Sequence, residues 1–278
     1  MRAALEEDIG SGDLTTQIIV EKGARGTARV ISRSDGILSG CAPFLEVFHQ
    51  LDESIKIKFA LQDAETLRKD NQVAELTGPI APILTGERTA LNFLQRLSGI
   101  ATLTGRYVDR VKGTKAQILD TRKTTPLMRA LEKAAVRHGG GNNHRKGLYD
   151  MILIKENHES AASGITAALS RVAIAAERIA EPAPVEVEVQ NLDQLDEILQ
   201  HDNESRKFRP DRILLDNFTL EMIESAMRKV AGWVPLEVSG GIDLDNVRRV
   251  AALGVDFISV GALTHSAPSL DFTLLLTA

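Results

Sequence analysis

The chain predicts an α/β fold, an incomplete (β/α) barrel with a smaller N-terminal α+β domain. Six short apolar runs in the second half each stop at a polar residue or glycine, with segments able to form helices lying between them. Strands alternating with helices imply parallel strands joined by helical crossovers. The first hundred residues lack this rhythm, and 278 residues suffice for a barrel-sized domain with a smaller companion.

Taken in order, the opening EEDIGSGD is acidic, has no signal-peptide core, and reads as turn and helix-cap chemistry. Residues 26–34 alternate like a half-exposed strand, 43–50 suit a short helix, and 55–61 alternate again. Residues 85–111 place apolar side chains at helical spacing, with Thr85 or Gly86 as the start. Apolar runs follow at 117–120, 151–155, 185–189, 212–216, 236–239 and 257–261. Helical segments lie at 125–138, 160–180, 191–200, 220–230 and 244–253, and a further short strand is expected near 142–144. Residues 1–98, joined by the tail 265–278, form the first domain in this reading, and 99–264 form the barrel. A doubly wound open sheet is the alternative.

With 43% hydrophobic and 26% charged residues, the composition is that of a soluble globular protein. No apolar run approaches the roughly 20 residues of a spanning helix, so a membrane partner is not expected and the cytoplasm is the expected location. The net charge of −5 argues against nucleic acid as a partner. The single cysteine, Cys41, excludes an intrachain disulfide and a cysteine-based metal site, and reads as a small buried apolar residue.

Against that acidic background, residues 122–155 carry eight Lys/Arg and two acids. Such bunching of like charge points to an anionic ligand. Arg129, Lys133 and Arg137 recur at helical spacing and read as a solvated helix face. Arg122, Lys123, His144, Arg145 and Lys155 flank the triple glycine 139–141 or end an apolar run, and read as ligand contacts. His138, His158 and His265 read as caps or packing residues.

The positions where the runs stop are Asp120, Lys155, Glu188, Asp216, Ser239 and Gly261. In a barrel these converge on the carboxyl face, where barrel active sites sit. Ser239-Gly240-Gly241 and Val260-Gly261-Ala262 suit a phosphate cradle, because a backbone without side chains can approach a dianion. Glu188 and Asp216 end neighbouring runs and could hold Mg²⁺ beside phosphates. Glu186 should point to the same side as Glu188, which leaves open which of the two meets ligand. Arginine forks match carboxylates at two points, so the remaining cations suit a carboxylate-bearing substrate reacting beside a diphosphate.

The motifs EEDIGSGDLTT (6–16), ERTALNFLQRLSGIAT (87–102), DTRKTTP (120–126) and GGGNNHRKGLYDMILIKENH (139–158) carry a resemblance, continued by VEVEV, ILLDNF, EVSGGI and ISVGALTHSAPSLDF. By these the chain resembles the quinolinate phosphoribosyltransferases, the type II phosphoribosyltransferases of NAD biosynthesis, over nearly its whole length. The resemblance implies a sandwich-like N-terminal domain and an incomplete barrel in a homodimer, or a higher oligomer, whose sites are shared. It implies transfer of ribose 5-phosphate from phosphoribosyl pyrophosphate to quinolinate, with loss of pyrophosphate and CO₂. It further implies that Arg88 comes from the partner subunit and binds quinolinate with Thr121, Arg122, Lys123, His144, Arg145 and Lys155. Glu188 and Asp216 would serve the ribose and Mg²⁺, and Ser239, Gly240, Gly241, Gly261 and Ala262 the 5-phosphate. Lys123, Lys155, Glu188 and Asp216 would carry the catalysis.

Two departures stand out. The family usually reads TTPGLR where this chain has Thr125-Pro126-Leu127-Met128-Arg129, so a glycine-dependent turn is expected to be altered. The segment 201–210 is longer and more polar than the family pattern and is expected on the face away from the site. Three rival readings remain: a related molybdenum-utilisation protein with another substrate, an aldolase using Lys155 as a Schiff base, and a non-catalytic sugar-phosphate sensor.

Overall fold

A computed structural model describes residues 1–176, 183–205 and 209–277. Contacts divide the chain into two compact units. The first comprises residues 1–105, 125–140 and 266–278, and the second 106–124 and 141–265.

The first unit opens with α1 (Arg2–Ile9), α2 (Leu14–Ile19), β1 (Arg25–Ser32), β2 (Gly36–Ile37), α3 (Cys41–Leu51), β3 (Lys56–Phe59), β4 (Thr66–Leu67) and β5 (Gln72–Pro79). The long α4 (Ile80–Val111) follows and crosses into the second unit at Gly105. It starts five residues before Thr85, because Pro82 is tolerated in a first turn whose N–H groups have no intrahelical acceptor. β5, β1 and β3 form an antiparallel sheet, and the C-terminal strand Phe272–Thr277 adds to the outer edge of β1. The core beneath it is aromatic. Phe44 packs edge-on to Phe48 at 5.1 Å and to Phe59 at 6.0 Å. Cys41 is buried here as expected, and burial raises its thiol pKa so that it stays protonated.

The expected turn and cap chemistry of the N-terminal motif takes this form: Asp13 caps α2, accepting from Thr16 N at 3.0 Å, and also accepts from Thr85 Oγ1 at 3.0 Å. Helix α5 (Arg129–His138) belongs to the same unit. Of the three cations expected on a solvated face, Arg137 is exposed and Arg129 half-buried, whereas Lys133 is 1% exposed and its neighbour Glu132 is fully buried. Glu132 takes hydrogen bonds from Arg96 Nη2 at 3.1 Å, Thr125 N at 3.0 Å and Thr125 Oγ1 at 2.8 Å. Helical spacing reports only that residues share a face; the partner that face meets is set by tertiary packing. At the altered turn Leu127 keeps φ at 65°, a left-handed conformation that favours glycine, with its side chain fully exposed.

The second unit begins with β6 (Gln117–Leu119) and continues through β7 (Ile152–Ile154), α6 (Glu156–Ala162), α7 (Ile165–Ala176), β8 (Val185–Val189), α8 (Leu192–Ser205) and β9 (Arg212–Asp216). It ends with α9 (Leu220–Val230), β10 (Leu236–Ser239), α10 (Val247–Ala252), β11 (Phe257–Ser259) and α11 (Ala262–His265), and Phe272–Thr277 is thus β12. One expected helix at 160–180 is two, because Ser163 and Gly164 both take positive φ and end α6; residues 177–182 lie outside the described residues. Of the segment 201–210, residues 206–208 also lie outside them.

The parallel sheet runs β6-β11-β10-β9-β8-β7. From β7 to β11 each strand pairs with the next in sequence, and β11 pairs with β6 through Phe257↔Gln117 and Ser259↔Leu119. That wrap belongs to a barrel and not to a doubly wound sheet, whose strand order reverses. The expected strand near 142 is a single parallel bridge, Leu119↔Asn142. No ladder joins Asn142 to β7 among the described residues, so the sheet is an unclosed barrel.

Candidate active site

The carboxyl ends of the parallel strands surround a cavity of about 740 Å³ in the second unit. Of the residues assigned from sequence to substrate, metal or catalysis, all but Arg88 line it. Arg88 is exposed on α4 in the first unit.

The cationic wall grows from β6 and β7. Buried Asp120, just past β6, accepts His144 N at 2.9 Å and Asn143 Nδ2 at 2.5 Å, which folds the 142–145 loop against the strand end. The loop after β6 carries Thr121, Arg122 and Lys123, held by Thr264 Oγ1 donating to Lys123 O at 2.8 Å. Arg122 Nε is buried with no hydrogen-bond partner. Arg145 donates from Nη1 to Met151 O at 3.2 Å, and its pKa is lowered by burial and by repulsion from Arg122. Two guanidinium groups repelling one another in a partly buried wall are stabilised by a shared anion.

Lys155 follows β7, and its Nζ is ion-paired with Glu188 Oε2. That pairing engages the Lys155 amine with a carboxylate, whereas Schiff-base chemistry needs the amine free to attack. Glu188 and Asp216, on adjacent β8 and β9, both face the cavity, whereas Glu186 is fully buried and absent from its lining. Strand alternation explains why both acids of β8 point inward, and depth separates them. Two hard oxygen donors at neighbouring strand ends fit Mg²⁺, which keeps several waters or phosphate oxygens of its own.

The glycine loops form the opposite side. Gly240 and Gly241 have φ of 92° and 61°, and a Cβ on Gly240 would land on Asn217 Oδ1. Asn217 N donates to Ser239 O at 2.8 Å and Asn246 Nδ2 to Gly241 O at 2.7 Å, so the turn is braced from both sides. A Cβ on Gly261 would meet Lys123 Cδ at 3.0 Å and His265 Nε2 at 3.2 Å. Bare backbone at these points leaves room for a phosphate.

His144, expected to contact substrate, lines the cavity and is also tied to the protein behind it. Its Nδ1 accepts Arg145 N at 2.7 Å, and Nε2 lies 2.8 Å from Glu186 Oε2 and 3.5 Å from Glu237 Oε1. These three side chains also form a possible metal-donor set, with ligand atoms within 4.8 Å of one another. Arg212 already supplies positive charge there, with Nη1 2.6 Å from Glu237 Oε2 and Nε 4.0 Å from Glu186 Oε1.

Glu237, Asn217 and His265 line the cavity and were not singled out as site residues from sequence; His265 was read as packing. A signal existed for His265, which lies four residues after Gly261 and therefore one helical turn back over it. His158 and His138 fit the expected roles: His158 Nδ1 accepts Lys155 N at 3.1 Å, and His138 packs with Ser39 at 2.9 Å.

Comparison with known proteins agrees with this geometry. Residues 13–98 match the model of the quinolinate phosphoribosyl transferase N-terminal domain, and residues 100–275 that of the C-terminal domain. The chain is 41% identical to a probable nicotinate-nucleotide pyrophosphorylase (carboxylating) of Bacillus subtilis, over 98% of this chain and 90% of the relative. It is also 41% identical to the nicotinate-nucleotide pyrophosphorylase (carboxylating) of Mycobacterium leprae, over 99% and 95%. The solved nicotinate-nucleotide pyrophosphorylase of Francisella tularensis superposes with a TM-score of 0.89 at 42% identity, covering 99% of this chain and 94% of that one.

Proposed function

The chain belongs to the quinolinate phosphoribosyltransferase family, and from that premise we propose that it transfers ribose 5-phosphate from phosphoribosyl pyrophosphate to the ring nitrogen of quinolinate. Pyrophosphate and CO₂ leave, and nicotinate mononucleotide remains. The observation that carries this reading is one cavity in which the Arg122, Lys123, Arg145 and Lys155 wall faces two carboxylates and two glycine turns. An aromatic dicarboxylate suits the guanidinium pair, and a phosphorylated sugar suits the acids and glycines.

Arg122 and Arg145 hold the substrate carboxylates and so aim the ring nitrogen at C1′. Lys123 and Lys155 lie where negative charge builds on the leaving pyrophosphate, and stabilise its departure more than its ground state. Glu188 and Asp216 face the ribose, whose C1′ becomes cation-like. Mg²⁺, held by these two acids, would neutralise diphosphate charge. The alkylated ring nitrogen is cationic and stabilises by its charge the electron pair that stays on C2 when the C2–carboxylate bond breaks and CO₂ departs; a proton then bonds to that pair. No nucleophilic side chain is required.

The active assembly is a homodimer in which Arg88 of each chain completes the other's site. Support comes from Arg88 being exposed and absent from the cavity lining, and from the exposure of Leu14, Ile18, Ile19, Leu148 and Tyr149 at 72–82%. Such apolar exposure suits a covered surface.

The test is to supply quinolinate, phosphoribosyl pyrophosphate and Mg²⁺ and to follow CO₂ and mononucleotide. Turnover of nicotinate as readily as quinolinate would overturn the dicarboxylate assignment. Phosphoribosyl pyrophosphate bound without turnover would make the protein a sensor.

A further inference from the structure

Beneath the cavity the barrel interior holds charge that the proposed reaction does not use. Glu186 of β8 and Glu237 of β10 are both fully buried on either side of Arg212 of β9. Arg212 is fixed twice, by Glu237 and by the Phe257 ring 3.8 Å from its guanidinium carbon. Neither oxygen of Glu186 makes a hydrogen bond of acceptable geometry. Buried carboxylate oxygens in native proteins are almost always satisfied, and His144 Nε2 lies 2.8 Å from one of these.

The imidazole's own contacts state where its proton is. Nδ1 accepts the Arg145 amide at 2.7 Å and so carries a lone pair. A neutral ring then has its hydrogen on Nε2, the atom facing Glu186. The opposite tautomer would set an N–H against an N–H at Arg145 and a lone pair against a carboxylate at Glu186.

We infer that Glu186, braced by Arg212 and Glu237, is a positioning residue. It holds His144 in the Nε2–H tautomer, and His144 Nδ1 in turn fixes the backbone of Arg145, whose guanidinium takes a substrate carboxylate. The inference rests on the proposed function for the identity of that substrate. It explains why a histidine whose two nitrogens face the protein stands in the cavity wall.

Two measurements test it. In the full-length wild-type protein, ring-¹⁵N NMR should show His144 protonated on Nε2 and bare on Nδ1. A Nδ1–H ring or an imidazolium would overturn the inference. Glu186→Gln keeps the volume but can offer an N–H to Nε2 and so release the tautomer. The variant should raise KM for quinolinate on the order of tenfold, with KM for phosphoribosyl pyrophosphate changed by less than about twofold. Its His144 ring should shift toward Nδ1–H. Unchanged constants, or an equal rise in both, would refute the positioning role. Should the variant not fold, the wild-type ring spectrum decides alone. Absence of quinolinate turnover in the wild-type protein would count against the proposed function and leave the tautomer result standing.

Discussion

Raising the pH from about 5 to about 8 should cost the wild-type second unit roughly 2–3 kcal/mol that the Glu237→Gln variant keeps. Burial, and then repulsion from Glu186, pushes the Glu237 carboxyl from 4.5 up to about 7, with the Arg212 guanidinium pulling the other way. The native state therefore binds a proton between about pH 4.5 and 7 that the unfolded chain has released. Stability falls with rising pH wherever the native state binds more protons, so the loss accumulates across that window and levels off above pH 7. A displacement from 4.5 to about 7, at about 1.4 kcal/mol per unit, gives about 3 kcal/mol for the full window. The residue is fully buried, so solvent screening takes little away. Glutamine cannot ionise, and the variant should lack this component. Urea unfolding followed at Trp233, the only tryptophan and a member of the second unit, reads the effect directly. The substitution also shifts stability by a pH-independent amount, so the slope difference is what counts, and parallel pH profiles would refute the reasoning.

Arg145→Ala should weaken quinolinate by about a hundredfold, as loss of a charge-assisted pair implies, while phosphoribosyl pyrophosphate binding measured by calorimetry stays nearly unchanged. Equal loss of both ligands would remove the assigned role. Leu127→Gly should raise the thermal midpoint by the equivalent of up to about 1 kcal/mol, since relief of left-handed strain exceeds glycine's entropic cost and no packing is lost; a lower midpoint would show that the exposed leucine has a partner. Gly240→Ala should abolish phosphoribosyl pyrophosphate binding, because the new methyl falls on Asn217 and φ is 92°. Retained affinity would place the phosphate elsewhere.

Much of this protein was legible before any coordinates. β8, β9, β10 and α9 match the expected bounds, because apolar runs and helical periods are local properties of the chain. The strand-end rule placed Lys155, Glu188 and Asp216 on one cavity, since parallel strands in a barrel present their carboxyl ends to one face. Leu127 marks the limit of that locality: no glycine stands there, yet the backbone takes the left-handed conformation.

Tertiary structure decided what depends on which residues meet. Lys133 and Glu132 lie in a helix whose charged spacing suits solvent, and packing buries both. The depth that parts Glu188 from Glu186 follows from barrel geometry, as two acids at alternate positions of VEVEV are equivalent in sequence. Glu237, Arg212 and His144 are distant in the chain and become one network only where three strands and a loop converge. Sequence alone determined the elements, their order and the charge they bring, since each depends on neighbours a few residues away. The buried network holding the cationic wall depends on contacts across the barrel, and only the folded chain supplies them.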